Sequence, residues 1–260
     1  MRVLMEFVRE VIDLKKANME SDDTEDQSGK PFVERMLLNP EVSMDELILQ
    51  GATIITAGID TTKSQNILLL LVLALHPDVQ NNVYNELASI LDEDITQVPS
   101  YEAVSSLNYL DRVIKETLRM FPVAPVLARQ AYRELTVMAD DGEYTIPAGT
   151  VLLTMVTDIH NNPHYYDNPH LFNPDRWLPD HHPSSNHAHC YLPFSNGPRN
   201  CLGYKYALLQ MKLLIVNLVR SYEILPSETC QSLEDVRFDM SITLKLEDTC
   251  RVRFKTRRTL

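Results

Sequence analysis

The run "FSNGPRNCLG", Phe194 to Gly203, holds the residues most able to do chemistry. It sets one cysteine, Cys201, among turn-formers, with Arg199 two residues before it and Gly203 two after. Gly197, Pro198 and Gly203 allow a tight turn, and Gly203 lets backbone approach something closely. Apolar periodicity from Tyr204 to Tyr222 predicts a helix directly behind the cysteine. The positive end of that helix favours a thiolate, and Arg199 is a cation able to pair with a carboxylate. Such a thiolate suits axial ligation of a haem iron. A buried free cysteine capping a helix is the other reading of the same residues.

Two further groupings have usable spacing. In "AGIDTT" (Ala57 to Thr62), Gly58 weakens a helix interior by about 1 kcal/mol relative to Ala, so a helix that keeps it implies close approach or a local opening there. Asp60 and Thr61 place a carboxylate and a hydroxyl at that point, a plausible proton relay. The alternative is Thr61 bonding back to a helix carbonyl beside a solvated Asp60. In "ETLR", Glu116 and Arg119 stand three apart on one helix face and are placed to pair.

The histidine-rich run "HHPSSNHAHC" (His181, His182, His187, His189, Cys190) offers nitrogen and sulfur donors for zinc. It lacks regular ligand spacing and is full of Pro, Ser and Asn, so it reads as a solvated loop. His160, His164 and His170 read as polar loop groups.

These residues need a scaffold, and the rest of the chain predicts one that is mainly α with small β-sheet elements. Val3, Leu4, Phe7, Val8, Val11, Ile12 and Leu14 recur at helical spacing, so the chain opens in a helix. Glu20 to Lys30 is acidic, nearly free of apolar residues, and reads as a linker. A short helix is expected around Phe32 to Leu38. Ser43 with Glu46 makes a capping box for a long helix to about Leu75, and Pro77 starts the next, to about Leu91. Another helix lies within Tyr101 to Phe121, ended by Pro122 and Pro125. Leu135–Ala139, Glu143–Ile146 and Val151–Met155 are β-like runs parted by turns. Residues 158–200 promise little regular structure, and a loop of that length in a compact domain usually carries function. After Phe238 the tail alternates like two short strands.

With 260 residues, 44% of them hydrophobic, the chain can bury a large core. Net charge −12 argues against nucleic acid as a partner. The four cysteines, Cys190, Cys201, Cys230 and Cys250, form no CxxC pair and read as reduced thiols. The longest apolar run, Ile67 to Leu75, falls well short of the roughly 20 residues that span a bilayer.

The spacing F-x-x-G-x-R-x-C-x-G across Phe194 to Gly203 resembles the haem-thiolate signature of the cytochrome P-450 monooxygenases. In the family's order, "AGIDTT" resembles its distal oxygen-activating helix, "ETLR" its E-x-x-R, and "FNPDRW" (Phe172 to Trp177) its later Pro/Arg motif. The phrasing "HNNPHYYDNPHLFNPDRWLP" looks most like the microsomal family 4 and its insect relatives.

By that resemblance the cofactor is haem b with Cys201 on the iron, and electrons come from NADPH through a separate reductase. Thr61 is the oxygen-activating threonine and Asp60 its acidic neighbour. Arg129 and Arg199 match positions that contact haem propionates, and Phe194 packs near the sulfur. Glu116, Arg119 and Arg176 form a buried structural network. The substrate class is small and lipophilic (a fatty acid, hormone-like lipid or xenobiotic), oxidised with dioxygen, with the full-length family on the cytosolic face of the endoplasmic reticulum membrane. Family members are about twice as long, so residues 1–260 are expected to be a partial domain, the C-terminal half without the N-terminal anchor and early helices. Two other readings accompany this one: a haem-thiolate peroxide isomerase, disfavoured by the Asp60–Thr61 pair, and a non-catalytic fragment.

Overall fold

The computed structural model describes residues 2–19, 30–92, 94–181, 189–240, 243–247 and 250–257. The linker at 20–29 and most of the histidine-rich run, including His182 and His187, lie outside them. The chain forms two compact units, Met1–Asp60 and Thr61–Leu260.

The first unit contains α1 (Arg2–Met19), α2 (Phe32–Leu37) and the start of α3 (Met44–Leu75). The expected capping box begins α3: Ser43 N–H donates to Glu46 Oε2 at 2.9 Å, and Glu46 N–H donates to Ser43 Oγ at 3.3 Å. Val8 and Ile12 of α1 pack on Leu47, Ile48 and Ala52 of α3. Gly51 permits that approach, because a Cβ there would meet Val8 Cγ1 at 2.8 Å. Gly58, in contrast, has nothing within 4 Å, and α3 runs unbroken through it. The close approach expected at Gly58 is therefore not made among the described residues, and a helix 32 residues long absorbs one glycine's penalty of about 1 kcal/mol.

In the second unit the end of α3 joins α4 (Pro77–Ile90), α5 (Tyr101–Ser105) and α6 (Asn108–Met120) around Leu69, Leu73, Val83, Leu87, Leu110 and Ile114. Each such side chain contributes about 1.5–3 kcal/mol on burial. Where one helix was expected between Tyr101 and Phe121, there are two. The Glu86 carboxylate of α4 accepts from Tyr109 N–H at 2.6 Å and Leu110 N–H at 2.9 Å, capping α6 from outside and fixing its start.

Short antiparallel pairs follow: β1 (Val126–Gln130) runs beside β4 (Val151–Met155), while β2 (Leu135–Ala139) and β3 (Gly142–Ile146) make a hairpin. α7 (Val156–His160) leads into the irregular stretch, relieved by 3-10 turns at Pro174–Trp177 and Pro179–His181. α8 (Tyr204–Ser221) supplies Met211, Ile215, Val216 and Val219 to the core.

The tail holds more strands than its alternation suggested: β5 (Tyr222–Pro226) pairs β8 (Val252–Thr256), and β6 (Phe238–Met240) pairs β7 (Leu244–Leu246). Buried Gln80 stitches α4 to this region, donating to Leu73 O at 2.9 Å and Ile224 O at 2.8 Å and accepting from Ile224 N–H at 2.8 Å. The architecture is mainly α with small sheets, and all four cysteines are free thiols.

Candidate thiolate site and the network behind it

Glu116 and Arg119 of α6 are fully buried. Glu116 Oε2 accepts from Arg119 Nε at 2.9 Å and from Trp177 Nε1 at 2.9 Å. Its Oε1 accepts from Arg119 Nη2 at 2.9 Å, Asn173 N–H at 3.1 Å and Arg176 Nε at 3.3 Å. One carboxylate thus faces two guanidinium groups, and the surplus positive charge is spread over backbone carbonyls. Arg119 donates to His160 O at 2.8 Å and Pro169 O at 2.7 Å; Arg176 donates to Asp167 O at 2.8 Å. The Tyr166 ring lies 5.1 Å from the Arg119 guanidinium carbon and 5.8 Å from that of Arg176. The structure therefore brings Glu116, Arg119 and Arg176 together, and adds Trp177, Asn173 and Tyr166, which the E-x-x-R spacing did not indicate.

His160 carries this network toward the cysteine loop. Its Nε2 accepts from Leu192 N–H at 2.8 Å, so the ring hydrogen sits on Nδ1, which donates to Arg119 O at 3.0 Å. Burial pushes its pKa down to about 4, keeping the imidazole neutral as this pattern requires. Tyr191 stacks on His160 at 5.4 Å and packs on Trp177 at 4.5 Å, while its hydroxyl donates to Lys115 O at 3.2 Å. His160 is a fully buried strut and not the polar loop group its Asn-rich surroundings suggested.

The clamped segment runs straight into the loop. Ser195 N–H donates to Leu192 O at 3.1 Å, Asn200 N–H to Gly197 O at 3.1 Å, and Cys201 N–H to Phe194 O at 2.9 Å. Ser195 (φ 62) and Gly197 (φ 80) take left-handed backbone conformations that fold the loop tightly. Half-buried Phe194 packs on the main core, its ring 6.2 Å from Tyr204. Cys201 and Arg199 are left exposed, and Gly203 occupies the N-cap of α8, where a Cβ would meet nothing within 4 Å.

On β1, Leu127 and Arg129 share a face with Thr154 and Leu152 of β4, their register partners. Arg129 Nη2 reaches across to Ser195 Oγ at 3.2 Å. A cleft of about 380 Å³ opens there, lined on one side by Leu127, Arg129 and Thr154 and on the other by His189, Leu192 and Ser195. Asp60 and Thr61 are half-buried on α3, and each already has an interaction partner.

The family model for cytochrome P450 matches residues 1–248. The chain belongs to the cytochrome P450 family. Its relatives include cytochrome P450 4g15 of Drosophila melanogaster, 33% identical over 92% of this chain and 41% of the relative. Cytochrome P450 4c21 of Blattella germanica is 33% identical over 93% of this chain and 49% of the relative. The chain thus spans less than half the length of these relatives, which are the insect family 4 proteins its phrasing resembles. Among solved structures, a cytochrome P450DA heme domain superposes with a TM-score of 0.82 at 27% identity, over 98% of this chain and 54% of that one.

The cofactor of the P450 family is haem, its iron held by a cysteine thiolate. The donors present here fit that group. Cys201 offers an exposed thiol two residues before Gly203, the N-cap of the 18-residue α8. Arg129 and Arg199 provide cations for carboxylates, and the open space beside Gly203 leaves backbone accessible next to the sulfur.

Proposed function

We propose that residues 1–260 form the thiolate-bearing portion of a cytochrome P450 domain, serving a monooxygenase that inserts one oxygen atom of dioxygen into a small lipophilic substrate such as a fatty acid. The observation that carries this reading is the exposed Cys201 at the start of α8, its N–H held by Phe194 O at 2.9 Å, in a chain of this family. Thiolate-ligated haem supplies the oxygen-activating, one-electron chemistry.

This chain's own residues bind, screen and deliver protons. With haem bound, Cys201 would hold its iron, Arg129 and Arg199 would hold its propionates, and Phe194 would shield the sulfur from water. Gly203 keeps backbone close without a side chain in the way. Asp60 and Thr61 would hold and pass protons. Glu116, Arg119 and Arg176 keep the irregular segment locked on α6. NADPH supplies the electron pair through a reductase, and the second oxygen atom leaves as water. Full-length members of the family work on the cytosolic face of the endoplasmic reticulum membrane; among the described residues of this chain no single helix is long and apolar enough to cross one.

The test is turnover of a fatty acid by the haem-loaded chain with NADPH and cytochrome reductase. Hydroxylated product that requires both, with Thr61→Ala diverting NADPH consumption to released peroxide, is expected. Rearrangement of a lipid peroxide without NADPH would establish the isomerase reading instead, and no turnover of either kind would establish a non-catalytic portion.

A further inference from the structure

The loop around Gly197 fixes the orientation of a histidine that the family motif does not include. Gly197 N–H donates to Asn196 Oδ1 at 2.7 Å, which settles which end of that amide is oxygen. Asn196 Nδ2 then faces His189 Nδ1 at 3.3 Å and donates to it, so His189 Nδ1 is an acceptor. The neutral imidazole must therefore carry its hydrogen on Nε2. His189 lines the cleft of about 380 Å³ opposite Arg129, whose guanidinium is tied to Ser195 Oγ at 3.2 Å. A permanent cation and a residue with a ring N–H donor thus line one open space, and a carboxylate is the chemistry such a pair binds.

We propose that His189 binds a haem propionate through its Nε2–H, alongside Arg129, with Asn196 as the residue that positions the ring. This rests on the haem-thiolate reading above and assigns one more residue to the same cofactor. Because Nδ1 accepts from Asn196, Nε2 is the ring nitrogen left to donate. His189 is exposed, and replacing it removes no core packing.

The experiment loads the full chain with haem or with haem dimethyl ester, whose carboxylates are masked, and times transfer of each to excess apomyoglobin. Wild type is compared with His189→Phe and His189→Gln, the glutamine retaining an N–H donor. For haem, His189→Phe is expected to speed loss about threefold to tenfold, the range of one ordinary net hydrogen bond at an exposed site, and His189→Gln to recover part of that. For the ester the three proteins are expected to lose the group at equal rates. Equal loss of haem from wild type and His189→Phe, or equal acceleration with the ester, overturns the role of His189 while the haem reading stands. Failure of wild type to take up haem at all overturns both.

Discussion

Leu192 gives its backbone N–H to Nε2 of His160 at 2.8 Å, which joins the loop leading to Cys201 to the carbonyl end of the Glu116–Arg119 helix. Protonating His160 would set two N–H donors face to face. With the folded pKa lowered from 6.5 to about 4, the neutral-histidine contribution to stability is complete above pH 6.5 and is lost as pH falls through 4. The difference corresponds to about 3 kcal/mol. His160→Gln retains a carbonyl acceptor and does not titrate in this range. Urea midpoints between pH 7 and 4 should therefore fall more steeply for wild type than for the variant, and parallel slopes would contradict the assignment.

The Glu116 carboxylate serves Arg119, Arg176, Trp177 and Asn173 together. Glu116→Ala leaves buried cations uncompensated and should destabilise the protein by about 3–5 kcal/mol. Trp177→Phe removes a single neutral donor while Arg119 still satisfies the carboxylate, and should cost about 1–3 kcal/mol. Chemical denaturation ranks the two; a Glu116→Ala effect no larger than that of Trp177→Phe would mean the network is not held as a unit.

Gly197 and Gly203 both have open space where a Cβ would go, but only Gly197 has positive φ. Gly197→Ala should lower the stability of the haem-free protein by about 1–2 kcal/mol through backbone strain. Gly203→Ala, at φ −91, should leave it unchanged and show its effect only as weaker haem uptake. Thermal unfolding of the haem-free forms and haem titration separate the two, and equal unfolding temperatures would count against the strained turn.

The parts of this molecule legible in the sequence are those encoded locally. Ser43 and Glu46 announced the start of α3 because a capping box is complete within four residues. The turn around Cys201 was legible from Gly197, Pro198 and the helix pattern behind it, and Glu116 and Arg119 from their shared face. What stayed hidden depends on distant partners. The start of α6 is set by Glu86 from another helix, β1 and β5 become strands through β4 and β8, and Trp177 reaches Glu116 from the far side of a long loop. His160 had polar neighbours and no periodic pattern around it, so nothing local marked a histidine that packing buries completely.

The central claim is that Cys201 supplies a thiolate to haem iron, and the carbon-monoxide difference spectrum of the reduced, haem-loaded chain tests it most directly. A red-shifted Soret band in wild type that disappears in Cys201→Ser is the predicted result. A band at the same position in both proteins, or no thiolate band in wild type, would contradict it.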